Sequence, residues 1–184
     1  MKLASEMREV LDPGEISVEP MRKRHLTQIM AIEQQSYPRP WTRGIFESEI
    51  AQINPESRWY LVARHRRRVV AYAGVWITGG PEPSPREAHI TNIAVDPTWR
   101  RRGLGELLLR HLAEHVISVG CESWTLEVRA SSTGAQAMYA KFGFVPAGVR
   151  RNYYENSTDA IVMWCHDIQD RQYADRISQL GERL

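Results

Sequence analysis

The chain has 184 residues, 42% hydrophobic and 25% charged, the balance of one globular domain whose core needs no disulfide staples. A formal net charge of +2 makes no case for a general nucleic-acid binder, and no run approaches the roughly 20 apolar residues that span a bilayer. Cys121 and Cys165, with no CxxC and no Cys/His cluster at metal spacing, read as reduced packing residues, so neither a metal site nor a membrane association is expected and a cytoplasmic protein is.

The opening MKLASEMREVLDPGE lacks the apolar run of a signal peptide, and residues 1–14 read as a loose leader. ISVEPMR at 16–22 alternates as a strand does. HLTQIMAIEQQSY has helical spacing and must break at Pro38 and Pro40, and Thr42 can cap a second helix, RGIFESEIAQI. WYLVARH and RVVAYAGVWIT are β-rich and form a hairpin across a basic turn. After the loop GGPEPSP, EAHITNIAV is a strand stopped by Asp96-Pro97. From Leu104 the apolar residues Leu107, Leu108, Leu112, Val116 and Val119 follow a helical period that ends at Gly120. SWTLEVRA is a strand, and SSTGAQAMYAKFG is a helix capped by Ser131 or Ser132 and stopped at Gly143. FVPAGVRRNYY and DAIVMWCHDI read as a final antiparallel pair. Residues 15–168 thus form an α+β domain, a mixed sheet flanked by helices, and the tail over 169–184 has an amphipathic helical pattern.

The chemistry concentrates at DPTWRRRGLGELLLRHL. A strand, a turn and a helix opening on Gly-x-Gly make an anion site. The first-turn N–H groups have no internal partner, and the helix dipole adds positive charge. Gly103 and Gly105 allow close approach, and Arg100, Arg101 and Arg102 add donors for phosphate oxygens. There is no Walker lysine, and Leu108 stands where a dinucleotide fingerprint has its third glycine.

These residues resemble the acyl-CoA-binding segment of the GNAT superfamily of N-acetyltransferases, Arg/Gln-x-x-Gly-x-Gly/Ala after a strand, here Arg100, Gly103 and Gly105. WTLEVRASSTGAQAMYAKFGF resembles the family's next strand and helix. YPRPWTRGIF and RRNYYENSTDAIVMW resemble segments of its RimI-type branch, which acetylates ribosomal protein S18 at its N-terminal alanine. The resemblance covers about Ile16 to Ile168. It implies a splayed, mostly antiparallel sheet and acetyl-CoA as the acetyl donor. It places the pyrophosphate on Arg101, Arg102, Gly103, Leu104, Gly105 and Glu106, and the pantetheine arm along Ile93, Ala94 and Val95. Ser132 stands where many relatives have an asparagine that contacts the cofactor (RASS for RASN), which implies a weaker or water-borne contact.

An N-terminal ammonium must lose a proton before it attacks a thioester, and a carboxylate can take it. Alternation puts Glu127 on one face with Thr125 and Arg129, and periodicity alone favours a solvent-facing residue paired with Arg129. The resemblance instead implies that Glu127 is the general base and Tyr139 the general acid for the departing thiolate. By pattern, Tyr139 is also a core residue, sharing a helical face with Ala135, Met138 and Phe142. Trp41, Tyr153 and Tyr154 are candidates for the wall that receives a protein N-terminus, and Asp159 or Glu155 could attract its ammonium. Two rivals stay open. One is the same fold acting on a lysine side chain, a polyamine or a small-molecule amine. The other is a non-enzymatic RNA- or ribosome-binding module using RHRRR and RRR; the near-neutral charge and the lack of an aromatic RNA motif stand against it, so no stable nucleic-acid binding is expected.

Overall fold

The computed structural model describes residues 16–80 and 84–181; the expected leader, part of the GGPEPSP loop and the last three residues lie outside them. The elements follow the expected order: β1 (Ile16–Pro20), α1 (Leu26–Ser36), α2 (Arg43–Ala51), β2 (Arg58–His65), β3 (Arg68–Thr78), β4 (Glu87–Val95), α3 (Leu104–Ser118), β5 (Ser123–Arg129), α4 (Thr133–Lys141), β6 (Val145–Tyr154), β7 (Thr158–Cys165) and α5 (Arg171–Gly181). The first strand stops at Pro20, short of Arg22, because Lys23–His25 wind into a 3-10 turn that feeds α1. Helix α1 ends where Tyr37 turns extended, as a residue before proline prefers. Thr42 caps α2 through its side chain, which accepts from the Ile45 N–H at 3.3 Å.

The strands form one sheet in the order β1-β2-β3-β4-β5-β7-β6, antiparallel at every junction except β4–β5. Helices α1 and α2 cover one face with a core that includes Leu26, Ile29, Phe46, Tyr60 and Tyr72. The other face packs against α3, α4 and α5 through Leu108, Leu112, Trp124, Tyr139 and Phe144. Burial on both faces explains why β3 reads as an almost unbroken apolar run. Helix α5 docks on α3 and buries Tyr173 and Ile177, so the amphipathic tail is part of the packed structure.

Two irregularities shape the site. The β3–β4 register slips between Gly74 and Val75, so Thr91 is passed over on β4. And β4 pairs with β5 at three positions only, Glu87↔Ser123, Ala88↔Trp124 and His89↔Thr125. Beyond His89 the two strands part, and the sheet opens as a V.

Candidate active site

The glycine-arginine turn expected to hold an anion lies just past the open end of β4. Asp96 accepts from the Thr98 N–H at 2.9 Å and shapes a 3-10 turn over Pro97–Trp99. Arg101 and Gly103 then take positive φ, 63° and 80°, a conformation that glycine adopts without strain. The first closed bond of α3 runs from the Leu107 N–H to the Gly103 carbonyl, so helix geometry leaves the N–H groups of Leu104, Gly105 and Glu106 without intrahelical acceptors. Arg100 and Arg101 are exposed, and Arg102 lies over the Trp99 ring. Glu106, the acidic residue of this first turn, is paired with Lys141 at 2.6 Å. Gly105 has a second reason to be glycine. A Cβ there would come 2.8 Å from the Met138 sulfur, so its small size also serves the packing of α3 on α4.

Along the parted edge of β4, the carbonyls of Ile93 and Val95 point into the gap, where they accept from the Tyr37 hydroxyl at 2.7 Å and from Arg100 Nε at 3.2 Å. The N–H groups of Ile93 and Val95 point the same way, and strand alternation turns those of Ala94 toward Tyr72 on β3. Only Ile93 and Val95 of the expected three therefore offer backbone groups to an extended ligand.

The V opens into a cleft of about 490 Å3 whose lining includes Glu33, Tyr37, Trp41, His89, Glu127, Ser132, Tyr139, Tyr153 and Tyr154. Glu127 lies at its closed end with its side chain 8% exposed. Its partner is not Arg129. Oε2 is 3.1 Å from His89 Nε2 and Oε1 is 3.2 Å from Arg150 Nη2, whereas Arg129 reaches Glu155 at 2.6 Å. The hydrogen bond to His89, then the interactions with His89 and Arg150, hold the Glu127 carboxyl below its ordinary value against the opposing effect of burial. It is a carboxylate kept ionised inside a cleft.

Tyr139 is buried and packs edge-on to Phe144, the core place its pattern gave it, and it also lines the cleft. Burial, reinforced by Tyr37 and Tyr154, raises its pKa, so it keeps its proton. Ser132 stands at the N-cap of α4 with its hydroxyl making no capping bond; its carbonyl, not its side chain, meets the helix. Tyr154 donates to the Glu127 carbonyl at 3.2 Å and stacks edge-on with Tyr153. Asp159 does not join the lining: its carboxylate accepts from the Asn152 N–H at 2.8 Å and braces the β6–β7 hairpin. Glu155 does line the cleft, but Arg129 holds it.

Sequence reasoning passed over His89, Glu33 and Tyr37. His89 sits in the strand EAHITNIAV, and only the parallel β4–β5 pairing brings it to Glu127. Glu33 is 2% exposed in α1. It accepts from the Trp41 N–H at 2.8 Å and from the Tyr72 hydroxyl, and so fastens the loop that carries Tyr37 and Trp41 over the cleft. An acidic residue on the apolar face of a helix was the signal available. Burial pushes its carboxyl up to about 7 from an ordinary 4.5, opposed by the Trp41 N–H. A folded-state value above the unfolded one means that the folded chain holds more protons between the two, so stability falls as pH rises from about 4.5 to about 7. Thermal melts from pH 5 to 8 should show the native chain losing about 1–3 kcal/mol on this account and Glu33→Gln a flatter profile. Parallel profiles would remove Glu33 as the titrating group.

Known proteins share this arrangement. The model of the Acetyltransferase (GNAT) family matches residues 26–144. A ribosomal protein bS18-alanine N-acetyltransferase of Salmonella typhimurium is 38% identical over 135 residues, 72% of this chain and 84% of that protein. The N-alpha-acetyltransferase RimI of Mycobacterium tuberculosis is 38% identical over 125 residues, 67% of this chain and 74% of that protein. The crystal structure of the ribosomal-protein-S18-alanine N-acetyltransferase from Escherichia coli superposes with a TM-score of 0.69 at 32% identity, covering 83% of this chain and 94% of that one. With the parted sheet, the glycine-arginine turn and this match over most of the fold, the chain belongs to the GNAT family of acetyltransferases.

Proposed function

We propose that the chain transfers an acetyl group from acetyl-CoA to the N-terminal α-amino group of a protein, of the ribosomal protein S18 kind that begins with alanine. The observation that carries this reading is Glu127, its side chain 8% exposed and held ionised, in a cleft along the parted edge of the strand that leads to the glycine-opened start of α3. The identities to S18-alanine acetyltransferases over most of the chain support the choice of acceptor.

The residues divide the work. Arg100, Arg101 and Arg102, with the N–H groups of Leu104, Gly105 and Glu106, would hold the pyrophosphate. Ile93 and Val95 would hold the extended arm. Acetyl-CoA supplies the activated thioester; the amine attacks it directly, with no acyl-enzyme. Glu127 draws the ammonium in and accepts its proton, directly or through water. Tyr139 carries a proton at its hydroxyl for the leaving sulfur, and Ser132, whose hydroxyl makes no capping bond, lines the same cleft for a contact to the cofactor. Trp41, Tyr153 and Tyr154 form the wall along which the acceptor chain enters.

Acetyl-CoA incubated with peptides that begin with Ala, Ser or Met, beside free lysine, polyamines and aminoglycosides, separates the acceptors. The expected product is acetylated at the α-amine of the Ala peptide. Product on lysine or small amines alone would move the chain to another branch of the family.

A further inference from the structure

Two basic side chains share the Glu127 carboxylate, and they are held very differently. His89 is the last residue of β4 paired to β5, and Trp76 on β3 pairs with its other side, so the sheet fixes it. Arg150 comes from β6, the outermost strand, exposed along nearly its whole length. Its side chain is 54% exposed. The β6–β7 register is lost between Arg150 and Tyr154, so the ladder gives way at this residue. Beyond Glu127 it meets the ring of Tyr153, itself exposed, at 5.4 Å. Arg129, on the same rim, is tied by contrast to Glu155 at 2.6 Å and lies 4.2 Å over the Tyr154 ring.

An α-amine reaches neutral solution largely as an ammonium. To give up a proton at Glu127, the ammonium or a water that relays its proton must come within hydrogen-bonding distance of a carboxylate oxygen. Oε2 is taken by the fixed His89, and Oε1 by the loosely held Arg150. An ammonium and a guanidinium compete for that second oxygen by volume and by like charge. We propose that Arg150 is a placeholder for the acceptor's ammonium, neutralising Glu127 in the resting site and swinging out as the ammonium takes Oε1. One cation replaces another at Oε1, so the charge on that oxygen is never left without its partner. The exchange also selects: a neutral ligand offers no charge in return for the guanidinium. The charged groups around Glu127 allow it, with His89 on β4 and Arg150 on β6 facing the carboxylate, Arg129 on its own strand engaged by Glu155, and Val162 opposite on β7.

The inference rests on Glu127 as the proton acceptor, and binding separates the two. A synthetic peptide beginning with Ala is titrated calorimetrically into the CoA-saturated protein. Arg150→Gln should bind it about fivefold more tightly than the native chain, the worth of a half-exposed ion pair. The same peptide with an acetylated N-terminus should bind both equally, and the gain should vanish in a Glu127→Gln background. Unchanged or weaker binding by Arg150→Gln, or a gain that survives Glu127→Gln, would overturn the placeholder. Turnover of Glu127→Gln reads the proton-acceptor assignment by itself: a loss there without a gain in Arg150→Gln binding overturns the placeholder alone.

Discussion

Glu127→Gln should lower kcat by about 10²–10⁴, the range of a positioned general base, and leave acetyl-CoA binding little changed. The split follows from where the carboxylate stands. It sits at the closed end of the V, with His89 and Arg150 on its two oxygens, while the anion turn lies beyond the open end of β4. Glutamine keeps the shape and can still accept from His89, but it takes no proton and offers no charge to an ammonium. Because His89 and Arg150 keep Glu127 ionised, its own titration lies below the working range. The native rate should therefore vary little above neutral pH, and the loss in Glu127→Gln should shrink as the acceptor amine, near 8, loses its proton in solution. Tyr139→Phe should keep the same pattern with a smaller loss, since it removes only the hydroxyl of a core ring. Single-turnover rates beside acetyl-CoA titrations decide the matter, and near-native turnover of Glu127→Gln at every pH would rule out the base.

Gly74→Ala should cost about 1–3 kcal/mol of stability, read as a drop of about 2–4 °C in Tm for each kcal/mol. Gly74 pairs with Tyr60 across β2 and β3, and the ring lies over the bare glycine. A Cβ there would stand 2.0 Å from a ring carbon. The ring cannot retreat freely. It is fully buried, and its hydroxyl donates to Glu49 at 2.8 Å, a carboxylate that also accepts from Trp76 and Arg58. Trp76 lines the cleft beside His89. The substitution should thus disturb acceptor binding as well as folding. A Tm equal to the native one would show that the ring has room the packing does not suggest.

Local pattern carried the strand and helix order, because each element announces itself within a few residues. Thr42 capped its helix and the tail wound into a helix, both from neighbouring residues. Partnerships across the sheet were not legible. Periodicity alone paired Glu127 with Arg129, its neighbour on one strand face, whereas it pairs with His89 and Arg150, which lie 38 residues before it and 23 after it. Asp159 looked like a charge for the acceptor and turned out to brace a hairpin, because β6 folds back onto it. Such contacts depend on strand order, and a parallel pairing such as β4–β5 leaves no local mark.

The three-rung junction between β4 and β5 has a further consequence. Backbone pairing divides the sheet there into a half of four strands and a half of three, joined along a short seam. On the proposed reading the donor's arm lies in that seam and bonds to one lip of it. The donor is then building material as well as reagent, a missing rung, and each departure of spent CoA returns the protein to its looser form.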